Sequence, residues 1–246
     1  MNQITAIRLF FIFVVLTTMN ACTTLSSNDD AGLQTSSDPL VGLNRSVYAF
    51  NNAADKAILK PVAKAYDATI PAPAKRGVSH FFSNLNEPVN VVNNLLQGKV
   101  NGALNSTYRF VVNSTIGIFG ILDVAKAYDV EKKPEDFGQT LAAWGVKPGP
   151  YIMVPFFGPS SLRDGFGLIV DNGAYYPINE ISDDGAAQTG LTILNIVDTR
   201  ASLLSTDNIL DNQLDPYLFL KEAYDQSRLN SIYDGNPPEL DGDLDF

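Results

Sequence analysis

DPLVGLNRSVYAFNNAADKAIL, residues 38 to 59, decides how the chain is read. It opens on Asp38-Pro39, an acid suited to cap a helix followed by a proline suited to its first turn. Leu43, Val47, Phe50, Ala54 and Ile58 then recur at spacings of four, three, four and four. That is one face of a helix, not the alternation of a strand. Opposite lie Asn44, Arg45, Asn51, Asn52 and Asp55, a polar face suited to solvent or to the wall of a wetted channel. Pro61 ends or bends this helix.

Outward from there the same period returns. Pro71-Ala72-Pro73 marks a break, and Glu87-Pro88 opens a second helix with Val89, Val92, Leu95 and Leu96 on one side and Gly98 as its stop. A third runs through Leu104, Tyr108 and Val111. Ile116 to Leu122 (IGIFGIL) is apolar on all sides. Phe137, Leu141 and Trp144 make a short helical face before a Gly/Pro loop from Gly145 to Pro150. The period resumes from Leu191 to Leu204, and Asp215-Pro216 starts a helix reaching about Leu229. A short hairpin at Tyr175 to Ile181 is the one strand candidate. The pattern predicts a mostly α protein, one helical domain over 38–232 with short Gly/Pro-rich loops. The tail, 233–246, is acidic and expected to be disordered.

The N-terminus has a different character. Arg8 is its only charge before Asp29, and Leu9 to Leu16 (LFFIFVVL) is an apolar run of signal-peptide length, too short to span a bilayer. The run leads to Met19-Asn20-Ala21-Cys22, which places the chain's single cysteine where a bacterial lipobox needs one. Residues 1–21 are therefore expected to be a lipoprotein signal peptide, Cys22 the lipidated residue and 22–37 a Ser/Thr-rich tether. Thr23, not an acid, follows the cysteine, as in lipoproteins sorted to the outer membrane. At about 0.8 kcal/mol per buried methylene, several acyl chains anchor a protein stably.

Composition excludes several chemistries. A net charge of −10 repels nucleic acid. With one cysteine there is neither an intramolecular disulfide nor a Cys-based zinc site. No cofactor or metal motif is present. FGPSSLRDG, residues 157 to 165, looks at first like a catalytic loop, yet it lacks the second glycine of a nucleophile elbow. The only histidine, His80, sits in Ser79-His80-Phe81-Phe82 with no neighbouring signature. A lipid hydrolase using Ser160 or Ser161 with His80 and Asp164 is the enzymatic alternative. A helix cap fits the serines better.

The ordered motifs resemble the VacJ/MlaA lipoprotein family. Those carrying the resemblance include Asp38-Pro39-Leu40, Asn44-Arg45, Phe50-Asn51, Leu59-Lys60-Pro61, Phe82-Ser83-Asn84-Leu85, Asn94-Leu95-Leu96-Gln97-Gly98, Arg109-Phe110 and Asn113-Ser114-Thr115. They continue through Glu135 to Leu141 (EDFGQTL), Trp144-Gly145, Gly149-Pro150-Tyr151, Gly158-Pro159-Ser160 and Leu162-Arg163-Asp164. His80 departs from the family pattern, which often has asparagine there, and the acidic tail is this chain's own. The resemblance implies a ring-shaped, non-enzymatic helical lipoprotein in the inner leaflet of the outer membrane, lipid-anchored on the periplasmic side. Such a protein would draw phospholipid from the outer leaflet, pass it to a soluble MlaC-like periplasmic carrier, and be held by an outer-membrane porin trimer. A porin-associated lipoprotein that moves no lipid is the other alternative. On this reading Asn44, Arg45, Phe50, Asn51 and Asp55 are channel candidates. Ile116, Ile118, Phe119, Tyr151, Phe156 and Phe157 are membrane-contact candidates, for which burial in a core is the competing account. Gly138, Trp144, Gly149, Ser160, Arg163 and Asp164 are assigned to architecture.

Overall fold

Prolines and capping acids divide the chain into its helices. The computed structural model describes residues 38–174, 177–181 and 183–238. The expected leader, Cys22, the tether and the tail from Glu239 onward lie outside the described residues. Helix α1 (Val41–Ala54) begins two residues later than the capped start expected at Asp38-Pro39. Asp38 closes a turn instead, its Oδ1 accepting from the Leu40 N–H at 2.9 Å. The chain then passes through a π-helical turn, Asp55–Leu59, into α2 (Lys60–Thr69). Pro61 offers no N–H and its ring crowds the carbonyl four residues back, so the wider π turn absorbs it. Pro61 therefore does not end this helix; Ile70, extended before Pro71, does.

Helices α3 (Ala72–Leu85), α4 (Glu87–Leu96) and α5 (Val100–Thr115) follow. Gly98, at φ +75°, turns the chain between α4 and α5, which pack against each other as a hairpin. Beyond the loop at 116–124 and a 3₁₀ turn (Ala125–Tyr128) comes α6 (Phe137–Ala143), capped by Asp136, whose carboxylate accepts from Gln139 N–H at 2.9 Å. Strands β1 (Tyr151–Val154) and β2 (Gly158–Ser161) form a two-stranded antiparallel hairpin, Tyr151 opposite Ser161 and Val154 opposite Gly158. The rest is α7 (Leu162–Ala174), α8 (Gly185–Ser202), α9 (Asp207–Asp211) and α10 (Pro216–Ile232). Asp215 caps α10 with Pro216 at its first position, as the Asp-Pro pair predicts.

The hairpin is not where the sequence suggests. Pro177–Glu180, inside the stretch expected to hold it, is a 3₁₀ turn; Tyr175 and Tyr176 lie outside the described residues. In the real hairpin, Tyr151 and Met153 face inward and Ile152 and Val154 outward, too short an alternation to stand out in an apolar run. Its partner, GPSS, has no strand-forming composition at all.

Apolar burial is thin. The largest core cluster is Tyr151, Met153 and Tyr217, with Val47, Tyr48, Leu220 and Tyr224 against it. Among the described residues, nine hydrophobic side chains are buried, whereas sixteen polar or charged ones are, and thirty-four large hydrophobic ones are exposed. In water that distribution is inverted. No helix among the described residues is long and apolar enough to cross a membrane.

Candidate functional site

The inversion is sharpest on α4 and α5. Glu87, Asn90, Asn93 and Asn94 share one side of α4; Ser106, Arg109 and Asn113 share one side of α5, with spacings of three and four. Those sides are buried against neighbouring elements. Val92, Leu95 and Leu96 on α4, and Val100, Leu104, Tyr108 and Val111 on α5, point outward and are exposed. The expected apolar faces exist, but they form the exterior. Gly102 lets the helices close, because a Cβ there would lie 1.8 Å from Asn94 Oδ1.

A buried arginine anchors this polar interior. Arg109 donates from Nε to Glu87 at 2.8 Å and from one terminal nitrogen to both Asp123 oxygens at 3.0 Å. Its other terminal nitrogen bonds the Val130 carbonyl. Burial alone would lower its pKa, but the bonds from Glu87 and Asp123 raise it. Asp123 responds oppositely: burial would raise its carboxyl, and Arg109 with Asn113 holds it below the ordinary range. Asn90 completes the system, donating to Glu87 at 2.9 Å and accepting from the Glu135 N–H at 3.0 Å. A buried charge is tolerable when opposite charges and hydrogen bonds offset its desolvation, as Glu87, Asp123 and the Val130 carbonyl do for Arg109.

Two apolar tips project from this frame. In the loop after α5, Ile116, Ile118, Phe119, Ile121 and Leu122 are all exposed, Phe119 at 75 %. Ile118 and Phe119 hold positive φ, +54° and +58°, which costs a non-glycine residue about 1–3 kcal/mol. The second tip is the hairpin turn, where Phe156 (φ +67°) and Phe157 are each 72 % exposed. Phe50 of α1 meets Phe156 edge to face at 5.2 Å. Tyr151 is a correction: expected at a membrane-contact surface, it is buried under Tyr217 and Tyr224. As the first inward residue of β1 it belongs to the core.

The polar residues of α1 are not gathered into one lining. Asn44 is buried and bridges β1, donating to the Tyr151 carbonyl at 3.0 Å and accepting from the Met153 N–H at 2.8 Å. Its expected place on a channel wall is thereby corrected. Asn51, two turns on, repeats the contact with the Val154 carbonyl at 3.0 Å and the Phe156 N–H at 2.8 Å. Seven helical residues and three strand residues each advance the chain about 10 Å, so the two asparagines match the strand's edge. Asp55 takes both nitrogens of an Arg200 fork at 2.7 and 3.0 Å. Arg45 is exposed, pairs with Asp215 and lies over the Tyr217 ring; Phe50 is exposed too.

Hydrogen bonds within the chain hold the Ser160–Asp164 corner. Ser161 Oγ accepts from Asp164 N–H at 3.1 Å, a cap on α7, and Ser160 Oγ donates to the Ser161 carbonyl at 3.2 Å. His80 Nδ1 lies 3.3 Å from the Ile121 carbonyl. Among the described residues no hydrogen bond joins it to either serine. Asp164 accepts from Arg163 at 2.9 Å, Arg228 at 2.9 Å and Tyr224 at 2.5 Å. Burial opposes its ionisation, but those donors, Arg163 foremost, bring its pKa down to about 2. Arg228 also forks onto Asp136, tying α10 to α6 and α7. Gly138 sits at that junction, and a Cβ on Gly167 would lie 2.4 Å from the Gly138 nitrogen. Trp144 donates to the Leu96 carbonyl at 3.0 Å and stands edge-on to Phe137. Gly149 holds φ +70° against Leu162. Sequence reasoning missed Arg228 and its pairing with Asp136, 92 residues away. The asparagine side of α4 it could have found, since Asn90, Asn93 and Asn94 already share a helical spacing.

Comparison with known proteins gives the same answer along the whole domain. A family model described as MlaA lipoprotein matches residues 36–231. The chain is 40 % identical over 194 residues to the intermembrane phospholipid transport system lipoprotein MlaA of Shigella flexneri, and 39 % to that of Escherichia coli K12. Each match covers 77 % of this chain and 76 % of the relative. A solved structure, described as "Structural basis for maintenance of bacterial outer membrane lipid asymmetry", superposes with a TM-score of 0.69 at 36 % identity. That match covers 81 % of this chain and all of the other. Domain-long matches in sequence and in fold show that the chain belongs to the MlaA lipoprotein family.

Proposed function

We propose that this protein moves phospholipid out of the outer leaflet of the outer membrane and delivers it to an MlaC-like periplasmic carrier. Acylation at Cys22 anchors it on the periplasmic side, and an outer-membrane porin trimer holds it in place. The observation that carries the reading is the inverted burial on α4 and α5, polar inside and apolar outside. Lipid is the solvent in which exposed leucines cost nothing and buried hydrogen bonds hold helices together. The two apolar tips, Ile116 to Leu122 and Phe156-Phe157, are the points of entry into the leaflet. Arg45 and Phe50 remain on the conduit wall, while Asn44, Asn51 and Asp55 support it from behind. The named activity of the Shigella and Escherichia relatives, phospholipid transport between membranes, supports the same reading.

The test is the amount of phospholipid on the surface of cells lacking the protein, read by their susceptibility to added phospholipase. A rise reversed by the natural chain and equally by His80→Ala supports a conduit without His-dependent catalysis. A rise reversed only by the natural chain favours hydrolysis. With no rise at all, a purely structural role at the porin is the better account.

A further inference from the structure

A cavity of about 300 Å³ opens beside the start of α4 and the end of α7, a size at the lower limit for small-ligand sites. Asn86 and Val89 line it from one side, Lys132 from the segment before α6, and Leu168, Asp171 and Asn172 from α7. Among the described residues, two of its charged groups have no directly bonded opposite charge. Among the described residues Lys132 forms no ion pair or hydrogen bond. Asp171 takes only neutral donors, the Asn93 amide at 3.1 Å and the Phe137 N–H at 2.8 Å. Each of its oxygens can accept again. The other two carboxylates of the cavity are engaged, Glu135 by Lys99 and Asp136 by Arg228. Desolvation holds the Lys132 ammonium below its ordinary pKa, and burial pushes the Asp171 carboxyl above its own. Neither group has, among the described residues, a directly bonded counter-charge to offset these displacements.

We infer that this cavity seats a zwitterionic phospholipid head group, its ammonium against Asp171 and its phosphate against Lys132. The inference rests on the phospholipid-transport reading and adds a head-group preference to it. A simple anion would compensate Lys132 but face Asp171, and a simple cation would do the reverse. One molecule carrying both charges a few ångströms apart satisfies both. A primary ammonium can also donate N–H bonds to the free lone pairs of Asp171, which a trimethylammonium cannot. The apolar part of the same molecule has an exit, since Val89 continues into exposed Val92 and Leu96 along the outer face of α4.

The test uses the purified full-length lipoprotein in neutral-detergent micelles doped equally with phosphatidylethanolamine and phosphatidylglycerol. Retained lipid is then quantified by mass spectrometry. The natural chain is expected to retain the ethanolamine lipid in about tenfold excess, the factor one charge-assisted contact supplies. Asp171→Asn brings that ratio to one while lipid is still bound. Lys132→Gln, which breaks no ion pair or hydrogen bond among the described residues, lowers retention of both lipids with little change in ratio. In parallel, glycerophosphoethanolamine raises the thermal midpoint of the natural chain, and inorganic phosphate or glycerophosphoglycerol does not. Lipid retained without preference, a preference that survives both variants, or an equal shift with inorganic phosphate overturns the assignment. No retained lipid of either kind would instead sink the transport reading itself.

Discussion

Asn44 stands in for a missing strand. It fills the open edge of β1 with one amide, giving a donor to the Tyr151 carbonyl and an acceptor to the Met153 N–H. Removing it leaves two buried backbone groups unpaired, at about 1–3 kcal/mol each. Asn44→Ala is therefore expected to destabilise the protein by about 3 kcal/mol in urea unfolding followed in detergent. Asn44→Leu, which keeps the branched side-chain skeleton, should cost at least as much, because the hydrogen bonds are lost all the same. Ser46→Ala, which removes an exposed bond to Gly42, should stay within about 0.5 kcal/mol. Equal effects at positions 44 and 46 would refute this role for Asn44. Asp164 supports a second prediction. Its folded pKa, about 2, lies below the ordinary 3.8, so the unfolded chain binds the proton more readily between those values. Its stabilisation is full above about pH 4 and is lost as pH falls through about 2. Asp136, lowered through Arg228 against its burial, acts in the same sense. Asp171, raised by burial, acts oppositely, its penalty easing on acidification. Acid unfolding of Asp164→Asn should accordingly show a shallower fall from pH 4 to 2, and a loss of roughly 2 kcal/mol near neutrality. An unchanged slope would remove Asp164 from the account.

The crossing of α6 and α7 is set by two glycines without side chains to hold them apart. A methyl on Gly167 would stand 2.4 Å from the Gly138 nitrogen, and one on Gly138 would meet Arg228 and Asp164 within 2.6 Å. Gly167→Ala is expected to cost about 1–3 kcal/mol through backbone displacement and to weaken the Arg228 fork with it. Gly190→Ala, in α8 with nothing within 4 Å, should instead stabilise by about 0.5–1 kcal/mol. Thermal denaturation of the two variants distinguishes a packing constraint from glycine's general effect; shifts of the same sign would contradict it. This scale also shows what the sequence could convey. The helices of α4, α5 and α10 were legible because their starts, stops and spacing are local: Glu87-Pro88, Gly98 and Asp215-Pro216 act within one turn. The direction of the apolar faces was not. Period alone places Val92, Leu95 and Leu96 together, but whether that side meets protein or lipid depends on Asn90 and Asn94 finding partners elsewhere in the fold. The hairpin was hidden for a related reason: its outer edge is held by the pair Asn44 and Asn51, more than a hundred residues away.

For the molecule as a whole, hydrophobic burial cannot be the main source of cohesion in water, because among the described residues thirty-four large apolar side chains are exposed and only six are buried. The interior is held by ion pairs and amide bonds, with Arg109, Arg200 and Arg228 each spanning two carboxylates. On the proposed reading such a protein gains its apolar stabilisation from the surrounding lipid, so its membrane affinity should outlast removal of the acyl anchor. A mature chain carrying Cys22→Ser is expected to float with phospholipid vesicles. Adding Phe119→Ser, Phe156→Ser and Phe157→Ser removes three rings, each more than 70 % exposed and each worth about 1.5 kcal/mol or more when buried in lipid. Partitioning should fall by roughly a thousandfold, while the thermal midpoint in detergent shifts little, since none of the three belongs to the buried core. Partitioning unchanged by the three substitutions would mean that the tips stay outside the leaflet, and that the outer faces of α4 and α5 bind it alone. A large fall in midpoint would mean instead that these phenylalanines hold the protein together, and that their exposure conceals a partner they were built to meet.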